Sequence, residues 1–202
     1  MKKWQMMVIV LIVIVAILIG AYVSIRNNMV RKQQEVKADW SQVDVVIQRR
    51  ADLIPNLVNT VKGYATHEEA VFADVDHARA ALLGASTPAG RIQANGQLDG
   101  ALGRLLAVVE NYPQLKANEN FLELQDQLEG TENRIAVERR RYNQAVQDYN
   151  TYLGLFPNNL IAGMAGFTQN SDYFKASTYA QQVPKVDFSN APPAAPAATA
   201  PH

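Results

Sequence analysis

From Met6 to Val23 the chain is an unbroken apolar run of 18 residues, and no charge occurs from Trp4 to Ile25. As an α-helix rising 1.5 Å per residue, that run covers about 27 Å, close to the hydrocarbon thickness of a bilayer. Lys2 and Lys3 ahead of it would also suit a cleaved secretory signal. The apolar stretch exceeds the usual length of a signal core, however, and Gly20-Ala21-Tyr22-Val23-Ser24 offers no clean Ala-x-Ala. The expectation is a retained transmembrane helix over 6–25 behind a short flank, 1–5. Its orientation stays open: Arg26, Arg31, Lys32 and Lys37 outnumber Lys2 and Lys3, yet long domains cross largely regardless of such counts.

After Gly20 the first helix breaker is Pro55, so nothing local stops this helix at the membrane. Val36, Trp40, Val43, Ile47, Arg50, Ile54, Leu57, Val61 and Tyr64 alternate steps of four and three, the spacing of a coiled-coil stripe. Pro55 deletes one backbone bond and crowds the carbonyl of Ala51, which predicts a kink within a helix over about 26–65. Thr66-His67-Glu68-Glu69 has capping-box spacing and predicts a second helix over 66–84. Leu98, Leu102, Leu105, Val109 and Tyr112 mark a third over 90–112, which Pro113 ends. A fourth, over 117–153, keeps a seven-residue period from Phe121 to Tyr152. The predicted fold is all-α: a transmembrane helix continuing into an antiparallel up-down-up-down four-helix bundle over 26–155 with long coiled-coil-like helices. An apolar membrane-proximal segment, 156–188, and a disordered Pro/Ala-rich tail, 189–202, follow.

Little in the composition suggests chemistry. Nineteen Lys and Arg balance nineteen Asp and Glu, so no global field recruits nucleic acid. Without cysteine there are no thiol nucleophiles, and three histidines make a metal cage improbable. His67-Glu68-Glu69-Ala70 opens like a zincin helix but has Val71 where the second imidazole belongs. Asp74, Asp76 and His77 are too few to hold a metal. Gly96, Gly100 and Gly103 match neither phosphate-cradling fingerprint and read as a loose or closely packed helix start. Arg139, Arg140 and Arg141, with Arg134 nearby, fall about 30 Å above the membrane exit and read as a solvated or partner-facing patch. No catalytic, cofactor-binding or metal-binding residue is expected, and neither is a small-molecule substrate.

Two charged residues interrupt the apolar stripes, Arg50 and Glu138. If the first and fourth helices run in opposite directions, Arg50 meets Glu138 or Glu132, and such a pair fixes helix register. Asp52, Asn56, Asn59 and Lys62 beside the kink form a possible partner face. The same topology brings Phe156, Leu160, Ile161, Met164 and Phe167 back to headgroup height, as an interfacial helix, a plug for the bundle core or a subunit contact.

Trp40 to Ala65 reads Trp-Ser-Gln-Val-Asp-Val-Val-Ile-Gln-Arg-Arg-Ala-Asp-Leu-Ile-Pro-Asn-Leu-Val-Asn-Thr-Val-Lys-Gly-Tyr-Ala, with His67-Glu68 close behind. Together with Tyr112-Pro-Gln-Leu-Lys-Ala117, Phe121, Leu124 and Gln125, and with Glu132-Asn-Arg-Ile135, Arg139, Tyr142 and Asn143, this resembles the bacterial LemA family over roughly Met6 to Phe188. The resemblance implies one N-terminal spanning helix in the bacterial inner membrane and a soluble four-helix bundle. It brings no established activity; some relatives act in membrane organelles of magnetotactic bacteria and others are associated with membrane proteases. The expected function is a non-enzymatic, membrane-anchored scaffold that self-associates into a homo-oligomer and organises membrane or recruits envelope proteins. The alternative is an adaptor or regulator of a membrane protease or envelope stress system. Both make the lipid bilayer a partner and leave nucleic acid out.

Overall fold

The structure, a computed structural model, describes residues 3–175. The Pro/Ala-rich tail and the part of the expected 156–188 segment from 176 onward lie outside the described residues, as do Met1 and Lys2. Six helices are present among the described residues: α1 (Lys3–Lys62), α2 (Glu69–Gly84), α3 (Pro88–Val109), α4 (Pro113–Lys116), α5 (Glu119–Gly154) and α6 (Asn158–Ala165). There is no strand among them.

The helix α1 is a single element of 60 residues, about 90 Å long by helical rise. Its first part is long and apolar enough to cross a membrane, and none of that apolar window is buried by the rest of the chain. Burial begins with half-buried Ile25 and fully buried Met29 and continues through Val36, Val43, Ile47, Ile54, Leu57 and Val61. Pro55 lies inside this helix, which runs on past it for two turns.

Two helix pairs build the core. In the first, α1 lies along α5; in the second, α2 lies along α3. Contacts between α1 and α5 join Arg50 to Glu132, Trp40 to Tyr142 and Lys32 to Tyr152, and just past their ends Asn118 Nδ2 donates to Tyr64 OH. Residue numbers therefore fall along one helix as they rise along the other. The heptad stripes meet in this seam: Phe121, Ile135, Tyr142, Val146, Tyr149 and Leu153 of α5 are buried against those of α1.

Helix starts are set by local capping, and here the structure departs from expectation. The second helix begins at Glu69 instead of 66, and its N-terminal residue Glu68 makes no side-chain cap. The Thr66 capping box does not form because residues 63–67 are spent on a turn: Tyr64 and Ala65 both donate to the Val61 carbonyl, and Ala65 is buried. The third helix starts earlier, at Pro88, where the missing proline amide costs nothing and Thr87 Oγ1 accepts from Gly90 N at 3.1 Å. Asn118 caps α5 in the same way, accepting from Phe121 N at 3.0 Å.

Beyond α6 the chain reverses at Gly166, whose φ of 75° places it in the left-handed region that glycine tolerates. Residues 168–175 then run back along α5 as a strap without regular structure. Two asparagines, two helical turns apart on α5, supply its backbone partners. Asn150 Nδ2 donates to Asn170 O (2.7 Å) while its Oδ1 accepts from Asn170 N (2.8 Å). Asn143 repeats the arrangement with Phe174, at 2.8 and 3.0 Å. Phe174 ends up buried, stacked on Trp40 and edge-on to Tyr142.

Candidate functional site

Arg50 sits on the core-facing stripe of α1 and is only 7% exposed. A buried guanidinium needs partners, since an isolated charge there is strongly disfavoured. It finds two: Nη1 contacts Asp99 Oδ1 of α3 and lies 2.8 Å from Glu132 Oε2 of α5. Asn95, one turn before Asp99, donates to Asp99 Oδ2 at 3.3 Å. One arginine thus ties α1 to both other long helices. A parallel tie joins Arg91 Nη1 to Asp44 Oδ1 at 2.8 Å, with Arg91 Nε donating to the Ala85 carbonyl.

Of the two carboxylates expected for Arg50, the structure brings up Glu132, while Glu138 is elsewhere. Glu138 lies 3.4 Å from Arg141 on its own helix and close to Asp39. Six residues on from Glu132, about 9 Å by helical rise, it has passed out of Arg50's reach. Burial, followed by the nearby charges of Glu35 and Glu138, pushes the Asp39 carboxyl above the ordinary range. Asp99 was not anticipated, although a signal exists, since it is the sole carboxylate of α3.

Above Arg50 a groove of about 1150 Å³ opens between α3 and α5. Gly96, Gly100 and Gly103 form one wall, Glu132 and Arg139 the other, and Arg50 and Asp99 the floor. A second recess of about 290 Å³ adjoins it along the same helices and is lined by Leu57, Leu102, Leu106 and Leu128. A Cβ added at Gly96 or Gly103 would meet open space, and one at Gly100 would come no closer than 3.8 Å to Arg104 Nη1. The fold itself therefore does not require these glycines, although each weakens the helix by about 1 kcal/mol relative to alanine. Two deeply buried polar atoms beside the Arg50–Asp99 contact, Arg50 Nε and Asn95 Oδ1, have no hydrogen-bond partner among the described residues.

The remaining expected residues are distributed as follows. Asp52, Asn56, Asn59 and Lys62 share an exposed face of α1; Asp52 accepts from Gln48 at 3.1 Å and Lys62 Nζ lies over the Phe72 ring. Asp74 pairs with Arg104 at 3.0 Å, and no metal-holding cluster of three His, Cys, Asp or Glu exists among the described residues. Arg134, Arg140 and Arg141 are exposed, whereas Arg139 covers the Phe174 ring at 4.7 Å and donates to the Lys175 carbonyl. Ile161 and Phe167 pack on the core, while Phe156, Leu160 and Met164 face outward.

The LemA family profile matches residues 39–188, three quarters of the chain. The chain is 29% identical over 175 residues to magnetosome protein MamQ 2 of Paramagnetospirillum magneticum, an alignment that covers 74% of this chain and 64% of that one. It is 27% identical to magnetosome protein MamQ of Magnetospirillum gryphiswaldense, covering 73% and 64%. It is 23% identical to protein LemA of Metamycoplasma hominis, covering 87% and 78%. The match thus spans just under two thirds of the length of the magnetosome proteins. With a match across the seam of α1 and α5, the groove and the strap, this chain belongs to the LemA family.

Proposed function

We propose that the protein is a non-enzymatic scaffold, anchored in the bacterial inner membrane by α1 as a single-pass segment, that self-associates through the groove between α3 and α5. In this reading the helices form an antiparallel up-down-up-down four-helix bundle whose α3 and α5 edges are left apart for a helix of a second copy. The groove is the observation that carries it. Its wall of exposed glycines weakens α3 without relieving any crowding inside the chain. Close approach of another backbone gives those glycines a use.

Mass photometry of the full-length protein in nanodiscs tests the proposal, set beside the Gly96→Leu/Gly103→Leu variant. An added Cβ meets open space within the chain at both positions, so the variant is expected to fold with its groove filled. A discrete oligomer that falls to monomer in the variant supports the scaffold. Monomers in both samples overturn self-association and turn the reading to an adaptor for a membrane protease or another envelope protein, which crosslinking would then seek.

A further inference from the structure

The end of the soluble domain nearest the apolar run carries an apolar face of its own. Leu155, Phe156, Leu160 and Met164 are 54%, 80%, 59% and 81% exposed. On α6 the opposite side is anchored: Asn158 and Ala162 are buried, Ile161 packs on the core, and Asn158 Nδ2 donates to the Tyr152 carbonyl at 3.0 Å. The exposed side chains are therefore held outward by a fixed helix.

Its height follows from contacts along α1. Lys32 Nζ lies over the Tyr152 ring, and α5 ends only two residues later, at Gly154. Burial of α1 nevertheless continues below Lys32, to Met29 and Ile25. The element that packs on α1 beyond the end of α5 is α6. Ile25 and Met29 lie two and six residues past Val23, about 3 to 9 Å beyond the apolar run by helical rise. After α6 the chain turns at Gly166 and climbs away, Thr168 beside Tyr149 and Phe174 beside Asn143. No other part of the described domain reaches as low.

Charge tells the same story independently. From Tyr149 to Ser171 there are 23 residues without Asp, Glu, Lys or Arg, the longest such stretch outside the anchor. The chain is 19% charged, so this stretch is a marked exception, and it coincides with the lower end. Between the apolar run and the level of Tyr152 the charges of α1 are Arg26, Arg31 and Lys32, all of the sign that anionic headgroups attract.

We infer that the end of α5 and the outer face of α6 form a second membrane contact, in which Leu155, Phe156, Leu160 and Met164 enter the interfacial layer of the bilayer that α1 crosses. The contact needs no large insertion, since an interfacial helix buries its apolar face only about 5 to 10 Å deep. It rests on the reading of α1 as a membrane anchor, and it fixes the tilt of the domain at two points instead of one.

The absence of cysteine makes the test direct. Single nitroxide labels are placed in the full-length protein at Leu160→Cys and Met164→Cys, with Val15→Cys and Asp126→Cys as references, in nanodiscs of phosphatidylcholine and phosphatidylglycerol. Collision rates with oxygen and with a water-soluble nickel chelate report depth. The expected result is a nickel rate at residues 160 and 164 several-fold below that at 126, with oxygen favoured. If residue 15 reads as hydrocarbon but residues 160 and 164 read as fully aqueous, the contact is overturned while the anchor stands. If residue 15 is itself aqueous, the anchor reading fails. Should 160 and 164 be shielded from both reagents, with spectral broadening that disappears on dilution into unlabelled protein, a second copy covers the face and the lipid contact is overturned.

Discussion

Arg79 Nε donates to the carbonyl oxygen of Ala51 at 2.8 Å, and Ala51 is the residue whose helical partner Pro55 removes. In an unbroken helix that carbonyl would accept from the amide four residues on, which proline lacks. A side chain from α2 therefore completes the hydrogen bonding of α1 at its one interior proline. The junction gives the shorter pair of helices a fixed point on the longer pair.

Removing this donor leaves a buried carbonyl unmet. Arg79→Ala should destabilise by about 1 to 3 kcal/mol, the cost of an unsatisfied backbone acceptor. In a Pro55→Ala background the helix supplies its own amide, so the same substitution should cost much less. Thermal melts of the four proteins in this cycle measure the coupling; equal costs in both backgrounds would show that Arg79 acts through packing alone.

Arg50→Met strands Asp99 and Glu132 beside each other at the groove floor. Their side chains are 39% and 43% exposed, so water recovers part of the loss. The expected destabilisation is about 1 to 2 kcal/mol, less than for a fully buried pair. Glu138→Gln, which removes a carboxylate from an acidic neighbourhood, should not lower the melting temperature. A larger loss at Glu138 than at Glu132→Gln would mean that the register places the arginine differently.

The acid side of the stability curve should carry the mark of Asp39. Its carboxyl is raised chiefly by burial, then by Glu35 and Glu138. A raised acid binds more protons in the folded state than in the unfolded one, so its contribution disfavours folding above its folded pKa and fades as pH falls through it. Asp39→Asn should therefore raise stability at neutral pH and leave a smaller advantage at pH 4. Denaturant midpoints at the two pH values decide it: a midpoint lowered at neutral pH would refute the assignment.

Phe174 is the buried anchor of the strap. Truncation to alanine empties the space beside the Trp40–Tyr142 pair and should cost about 3 kcal/mol, the lower end for a buried phenylalanine. Asn143→Ala should act in the same direction, since it takes away both partners of the Phe174 backbone. Limited proteolysis would show cleavage near Phe174 before any within α5; simultaneous cleavage would mean that strap and helix unfold together.

The helical content was legible because its signal is periodic. Steps of four and three from Val36 to Val61 mark the residues that α1 buries, and the stripe of α5 is equally plain. What escaped was fixed by individual atoms. The lone acid of α3, Asp99, carries no periodic signature, and its role depends on how α3 lies across α1, which no spacing encodes. The strap has no repeat because its hydrogen bonds go to the side chains of Asn143 and Asn150. At Thr66 a good local motif was overruled by the need to bury Ala65 and turn the chain.

Because α1 is one helix from Lys3 to Lys62, the anchor is a drive shaft and not a tether. With about 3.6 residues per turn, the azimuth of every face of the domain is locked to the lipid-facing surface of the span. One residue inserted between Ser24 and Met29 would turn the span by about 100° against the groove. If two copies meet through their grooves as proposed, this lock also sets which sides of their spans they present to each other.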